Sequence, residues 1–232
     1  MGVATRSTSA TTSSSPLHCI WCSLRSHQSN IHHTGATNML ILVRHGRTVA
    51  NAKALLQGRV DHPLDDVGQD QARRVARVIN DLYPEARVVS SPLRRARMTA
   101  EAISQNVIID ERFIELDYGA FDELALTDVP AETWAQWHAD PHFRPPNGET
   151  LAELDVRVHA ALDELTDEAR TKDIVVVAHV SPIKSAVVWA LNGHTNMSWR
   201  CALDRGSITR IAIGPRGPSL VGFNDTAHLD VK

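Results

Sequence analysis

The chain has 232 residues, of which 43% are apolar and 22% charged, and its formal net charge is −3. This length and composition are typical of a soluble globular protein with one sizeable core. The weak negative charge gives no electrostatic basis for binding nucleic acid, and no run approaches the roughly 18 apolar residues of a membrane span. Three cysteines argue against a disulfide framework and favour a reducing, cytoplasmic location.

Residues 1–38 differ in composition from the rest of the chain. They contain no Asp or Glu, are rich in Ser and Thr, and show neither a helical nor a strand period. Such a segment buries too little apolar surface to offset its ordering entropy. We therefore predict a disordered extension, or a misassigned start upstream of Met39, with a transit peptide as the remaining alternative. The folded domain is expected to span residues 39–232.

Two motif-like patterns in this extension are interpreted as chance. Cys19 and Arg25 have the C-x5-R spacing of cysteine-dependent phosphatases, but bulky residues occupy the loop whose amides would have to hold phosphate. Cys19 and Cys22 lie among several histidines, yet the spacings fit no closed zinc site. We therefore predict neither a metal nor a cofactor.

The first predicted strand of the domain ends in a group of polar residues. The run from Leu40 to Val43 is typical of a buried strand in a parallel sheet, and Arg44, His45 and Gly46 follow it directly. Ligands collect beyond the carboxyl ends of strands in open α/β sheets. His45 is therefore placed where chemistry is expected.

The next segment predicts a helix, a strand and a second helix. Asp65 is a suitable N-cap for a helix of about sixteen residues. The apolar side of that helix comprises Val67, Val75, Val78, Ile79 and Leu82. Arg87 to Val89 is predicted to be a second strand. Ser91 is expected to cap the following helix, with Pro92 in its first turn.

A third strand repeats this arrangement. Ile174 to Ala178 is an apolar run, His179 follows it, and Ser181 with Pro182 is expected to begin a helix that runs towards Leu191.

These three strand ends would deliver cationic groups to one edge of a sheet. If the strands are neighbours, Arg44, His45 and His179 meet the arginines that follow the second strand. Two helix N-termini would add N–H groups and partial positive charge. Each charge-assisted hydrogen bond to a phosphoryl oxygen contributes about 1.5 to 3 kcal/mol. The pattern therefore predicts an anion pocket suited to phosphate.

Two segments also carry a family signature. Arg44 to Asn51 matches R-H-G-x-T-x-x-N, and Ser91 to Ala100 matches S-P-L-x-R-A-x-x-T-A. These motifs resemble those of the histidine phosphatase superfamily, also called the phosphoglycerate mutase-like family, and the resemblance extends from about Met39 to the C-terminus. It implies a three-layer α/β/α sandwich with a mostly parallel central sheet.

The same resemblance implies a proton donor. The segment F-I-E-L-D-Y-G-A-F-D-E at residues 113–123 is similar to the family pattern L-x-E-x-x-x-G-x-W-E-G, which gives the role to Glu115. Phe121, Asp122 and Glu123 depart from that pattern. Asp117, two residues away from Glu115, remains the alternative donor.

The resemblance further implies a two-step reaction. His45 would form a phosphohistidine while Glu115 protonates the leaving oxygen, and Glu115 would then deprotonate the water that releases phosphate. Cationic side chains would neutralise the phosphoryl oxygens, so no metal is required. The expected catalytic residues are His45, Glu115, Arg44, Arg95 and His179. The expected substrate-binding residues are Arg44, Asn51, Gln57, Gly58, Arg95 and His179.

The resulting prediction is a phosphomonoester hydrolase that acts on a small phosphorylated metabolite. One alternative is a phosphoglycerate mutase-type transfer, which the short stretch after Glu115 disfavours by resemblance. A non-catalytic phosphate-binding protein is the other alternative, but it would be expected to lack the nucleophile or the acid.

Two further predictions concern surfaces around this site. The aromatic-rich stretch before Thr150 predicts a substrate cover, with Trp134 and Trp137 on one face of a short helix and at least one of them in the core. The sheet edge near Ser207 to Ile213 is available for pairing in a homodimer.

Overall fold

A computed structural model describes residues 1–2 and 38–230 of the chain. Nearly all of the predicted extension, including both cysteine patterns, lies outside these described residues. None of the helices in the described part is long and apolar enough to cross a membrane.

The core of the domain is one six-stranded sheet. Its strands are β1 (Met39–Arg44), β2 (Arg87–Ser90), β3 (Val107–Ile109), β4 (Ile174–Ala178), β5 (Ile208–Gly214) and β6 (Gly217–Asp225). They lie in the order β3-β2-β4-β1-β5-β6. The first four are parallel, whereas β5 and β6 are antiparallel. The mostly parallel sheet is therefore confirmed.

One prediction about the sheet edge was wrong. β5, the segment near residues 207–213, is not an edge, because it pairs with β1 on one side and with β6 on the other. The sequence did not reveal β6 as a strand, since its glycines, proline and asparagine weaken the strand pattern.

Helices cover both faces of the sheet. They are α1 (Val49–Ala52), α2 (Asp66–Leu82), α3 (Arg94–Ile103), α4 (Ala131–Ala139), α5 (Leu151–Glu168) and α6 (Val180–Ala190). Ile41 and Val43 of β1 face a core shared with α2 and α3, whereas Leu40 and Leu42 face a second core shared with α5 and α6. This alternation follows from the two-residue period of a strand and confirms the three-layer sandwich.

The predicted N-cap of α2 is confirmed, but its predicted apolar side is partly wrong. The Asp65 carboxylate accepts a first-turn N–H at 2.8 Å. Val75 and Ile79 are fully buried, while Val67 and Leu82 are 44% and 58% exposed. At the α-helical turn angle, Val67 lies about 120° from the centre of the buried face. Leu82 is the last residue of the helix, where packing ends.

Two helices begin at the carboxyl edge of the sheet, and neither starts at the residue predicted from the sequence. α6 begins at Val180, one residue before the predicted start, and ends at Ala190. Ser91 does not cap α3, which begins at Arg94 with Leu93 in the N-cap position. The Ser91 hydroxyl instead forms a 2.7 Å hydrogen bond with His179 Nε2.

Candidate active site

The carboxyl ends of β1, β4 and β2 lie side by side. Arg44 pairs with Ala178, and Ser90 pairs with Val177. The residues that follow these strands therefore meet, and the His45 and His179 ring centroids are 5.1 Å apart. The predicted convergence of the three strand ends is confirmed.

His45 is held as a neutral imidazole with one free nitrogen. The ring is 3% exposed, and its Nδ1 lies 2.7 Å from the Gly46 carbonyl oxygen. A carbonyl can only accept, so Nδ1 carries the proton and Nε2 keeps its lone pair. Burial, followed by the positive charges of Arg95 and Arg44, lowers the pKa of His45 well below its ordinary value. Nε2 is therefore available as a nucleophile at neutral pH.

The Gly46 carbonyl is positioned by a close approach of two backbones. A Cβ atom on Gly46 would lie 2.3 Å from the Gly68 carbonyl oxygen at the start of α2. Only glycine fits at this distance. The glycine of the first motif thus brings the loop after β1 against α2 and fixes the group that orients His45.

His179 and Arg95 form a buried layer next to His45. Arg95 Nε donates to His179 Nδ1 at 3.2 Å, which leaves His179 Nε2–H to donate to the Ser91 hydroxyl. The other Arg95 nitrogens donate to the carbonyls of Gly58 and Val60 at 2.6 and 2.9 Å. Both Arg95 and His179 are 0% exposed. Burial, Arg95 and His45 lower the pKa of His179 well below its usual range.

Arg95 and His179 are less accessible to a ligand than the sequence predicted. Arg95 and His179 were expected to contact phosphate directly, but neither belongs to the cavity wall, and their donors are engaged by protein acceptors. The positive charge of Arg95 acts on His45, and the neutral His179 ring packs against the His45 ring.

Gly58 also lies behind the wall rather than on it. Its N–H donates to Asp122 at 2.8 Å, and the N–H groups of Arg59 and Val60 donate to the same carboxylate at 3.0 and 3.1 Å. Asp122 therefore fixes the loop whose carbonyls hold Arg95. The Gly58 N–H, which the sequence predicts as a donor to substrate, is bonded to Asp122 in this structure, and the Gly58 carbonyl supports Arg95.

Glu115 lies on the cavity wall and is 3% exposed. Its carboxylate accepts from the backbone N–H groups of Leu116 at 2.7 Å, Val180 at 3.1 Å and Ser181 at 3.2 Å. The N-terminus of α6 thus holds this carboxylate in place. Asp117, the alternative donor, instead pairs with Arg59 at 3.2 Å and is not part of the wall.

The two helix N-termini were expected to hold phosphate, and this expectation is wrong for the first turns. The α6 amides bind Glu115, as described above. The first amide of α3, on Arg94, donates to the Asp61 carboxylate at 2.6 Å. Both positive helix ends are therefore neutralised by the protein's own acids.

Gln57, one of the predicted substrate-binding residues, supplies a hydrogen-bond donor. Its Oε1 accepts from the Thr48 hydroxyl at 2.7 Å and from the Asn51 amide at 3.0 Å. Within the described residues its Nε2 has no acceptor. Asn51 and Gln57 both line the cavity. One N–H of the Asn51 amide orients Gln57, and within the described residues its second N–H and the Gln57 Nε2 have no acceptor, so both residues keep a donor.

The cavity has a volume of about 370 Å³ and reaches His45, Glu115 and Arg44. Burial, together with the nearby charge of Arg205, lowers the pKa of Arg44 to about 10. Arg44 Nη1 donates to the Leu203 carbonyl, while Nε has no acceptor in the described part of the chain, and the same holds for Arg205 Nε. In the described part of the chain, two guanidinium donors and one amide donor on the wall shared with His45 are thus unsatisfied.

Lys184, Trp199 and Arg205 are among the wall residues that were not predicted from the sequence. Arg205 reaches the site because β5 pairs antiparallel with β1, which puts the segment before β5 beside the carboxyl end of β1. That pairing has no local sequence signal. Lys184 did have a local sequence signal, since it lies on α6, the helix that begins directly after His179.

Three aromatic residues between Glu115 and Thr150 line the cavity: Tyr118, Trp134 and Trp137. Trp134 and Trp137 lie on α4 with their rings stacked at 5.5 Å, and both contribute to the wall. Trp137 is 1% exposed and belongs to the core. Over residues 1–2 and 38–230 there is no cluster of three or more His, Cys, Asp or Glu side chains that could hold a metal ion.

The buried histidines make the folded state sensitive to acid. His45 and His179 have lowered pKa values in the fold, so the unfolded chain binds more protons below about pH 6.5. The stability they contribute is present above that pH and is lost as the pH falls. We expect urea titrations to show a loss of up to about 2 kcal/mol per histidine in the free energy of unfolding between about pH 6.5 and about pH 5.

Matched variants separate this effect from other titrations. His142 is exposed, so His142→Ala is expected to keep the pH slope. His45→Gln is expected to reduce it, and an unchanged slope in that variant would contradict the interpretation.

The fold and this site define a known class of protein. Residues 40–226 match the model of the histidine phosphatase superfamily, branch 1, and the chain belongs to that superfamily.

Among characterised sequences, the chain is similar to a bifunctional protein of Mycobacterium tuberculosis, with 30% identity over 84% of this chain. The chain spans only a little over half of that relative, 56% of its length. It is also 30% identical to phosphoserine phosphatase 1 of Hydrogenobacter thermophilus, over 82% of this chain and 93% of that protein. A solved structure of an Entamoeba histolytica phosphoserine phosphatase mutant in complex with phosphoserine matches with a TM-score of 0.76 and 28% identity, over 82% of this chain and 98% of the other.

Proposed function

We propose that the chain is a phosphomonoester hydrolase that acts through a phosphohistidine intermediate on a small phosphorylated metabolite. The observation that carries this proposal is the neutral His45, whose Nδ1–H is fixed by the Gly46 carbonyl and whose Nε2 is free at a cavity shared with Arg44 and Glu115. The names of the phosphoserine phosphatase relatives support hydrolysis of this kind. The catalytic domain is proposed to span residues 39–232.

The first step forms the phosphoenzyme. His45 Nε2 attacks phosphorus, the bond from phosphorus to the ester oxygen breaks, and Glu115 gives its proton to that oxygen. In the second step Glu115 takes a proton from water, whose oxygen attacks phosphorus and returns the electron pair to Nε2. Phosphate leaves, and both residues regain their starting states.

The cavity donors stabilise the charge that moves during these steps. Arg44 Nε, Arg205 Nε and Gln57 Nε2 are unsatisfied donors beside His45 and are assigned to the phosphoryl oxygens. Arg95 and His179 adjoin His45 from the buried side. Their proposed role is to keep the imidazole neutral before the attack and to balance the transferred phosphoryl charge after it.

Three assays test the proposal together. Phosphate release is measured on a panel of small phosphomonoesters, isomerisation is measured on 3-phosphoglycerate, and both are repeated with excess EDTA. We expect hydrolysis of at least one ester, little isomerisation, and the same rate with and without EDTA, because the cationic side chains supply the charge that a metal provides elsewhere. Loss of turnover on chelation, or isomerisation faster than hydrolysis, would contradict the assignment.

A further inference from the structure

The residues of the cavity wall carry a second group of hydrogen-bond donors besides those assigned to the phosphoryl group. Trp137 and Trp199 line the cavity, and their buried Nε1–H groups have no acceptor among the described residues. Lys184 of α6 also lines the cavity and is half-buried, and within the described part of the chain no carboxylate lies within ion-pair distance of its ammonium. A buried donor without an acceptor is destabilising, so two such indole groups and a half-buried ammonium around one cavity point to a ligand that accepts hydrogen bonds.

The acceptors on the same wall are already satisfied by the protein. Glu115 receives three backbone N–H groups. Asp155 receives the hydroxyl groups of Ser185 at 2.5 Å and Thr195 at 2.6 Å. Among the described residues of the wall, the donors Trp137, Trp199 and Lys184 thus have no acceptor, and an anion with several lone pairs would satisfy them.

The size of the cavity limits the size of that ligand. Lys184 lines the same cavity, of about 370 Å³, as Glu115 and Arg44. A ligand that contacts Lys184 while its ester oxygen lies at Glu115 must therefore be a small molecule.

We propose that Lys184 binds a carboxylate of the leaving group, so that the preferred substrates are short phosphorylated carboxylic acids. This inference rests on the proposed function for the placement of the phosphoryl group at His45. The indole N–H groups of Trp137 and Trp199 complete the carboxylate subsite, because a carboxylate has more lone pairs than one ammonium can satisfy.

Matched esters isolate the contribution of the carboxylate. O-phosphoserine differs from O-phosphoethanolamine only by a carboxylate, and 3-phosphoglycerate differs from glycerol 3-phosphate by a carboxylate in place of a hydroxymethyl group. We expect kcat/KM to be at least about tenfold higher for the acid of each pair, mainly through KM. In Lys184→Met this preference is expected to collapse towards one. Lys184→Arg is expected to retain it, and so is Lys53→Met, which removes an exposed lysine outside the cavity.

A binding measurement keeps this inference separate from the proposed reaction. Calorimetric titration of His45→Ala with 3-phosphoglycerate and glycerol 3-phosphate requires no turnover. We expect the acid to bind at least about tenfold more tightly, and the difference to vanish when Lys184→Met is added. Equal binding of the two esters, or a preference that survives Lys184→Met, would overturn the carboxylate subsite. Selective binding without hydrolysis would contradict only the proposed function.

Discussion

A His45→Ala variant is expected to lose at least about 10⁴-fold in kcat, because the reaction then has no atom to carry the phosphoryl group between ester and water. The measurement is phosphate release under saturating substrate. The fold is expected to persist, since Ala50, Thr48 and the strand β1 keep their own packing and hydrogen bonds.

His142→Ala is the matched control, since His142 is exposed and lies outside the cavity wall. Its rate is expected to stay within about twofold of the unmodified protein. A His45→Ala protein that is folded and hydrolyses esters at an undiminished rate would exclude His45 as the nucleophile.

Glu115→Gln is expected to show a loss that depends on the leaving group. Alkyl phosphates need a proton on the departing oxygen, so their kcat should fall by about 10² to 10⁴. p-Nitrophenyl phosphate releases a stable phenolate, and its phosphoenzyme formation should fall much less. Rates of the first turnover on both esters, measured by rapid quench, give the comparison.

Asp117→Asn serves as the control for this position. Asp117 pairs with Arg59 outside the cavity wall, so alkyl ester hydrolysis should remain near the unmodified rate. If the alkyl-selective loss followed Asp117→Asn instead, the proton donor would be Asp117. Equal losses on both esters in Glu115→Gln would indicate a role in binding rather than in proton transfer.

The parts of the fold that the sequence predicted are those with a local signal. The apolar runs that became β1 and β4 are uniformly buried, and a strand buried on both faces needs such a run. His45 and His179 were therefore placed correctly at neighbouring strand ends. The N-cap of α2 was also predictable, because Asp65 makes a contact only three residues away along the chain.

The parts that were missed depend on contacts between distant segments. Ser91 has a side chain that suits an N-cap, but its hydroxyl is hydrogen-bonded to His179, the residue that follows β4. Gly58 has a backbone N–H that could hold phosphate, but Asp122, far along the chain, occupies it. Arg205 reaches the site only through the antiparallel pairing of β5. Sequence spacing indicates which groups are near a strand end, but not which partners they will find.

The helix N-termini illustrate the same limit. An unfilled helix end attracts any anion, whether a phosphate or a carboxylate of the protein. Asp61 and Glu115 are the anions that α3 and α6 bind in this structure. For Glu115 the consequence is functional, because the amides of α6 orient the proposed proton donor towards the cavity that His45 shares.

The position of a trapped phosphoryl group tests the central claim most directly. The protein is mixed with substrate, denatured rapidly in alkali to preserve the acid-labile bond, and analysed by mass spectrometry and ³¹P NMR. Because Nδ1 of His45 donates to the Gly46 carbonyl, phosphorus is expected on Nε2 of His45. Phosphorus on Nδ1 or on a different residue, or the absence of any phosphoenzyme during rapid hydrolysis, would contradict the account.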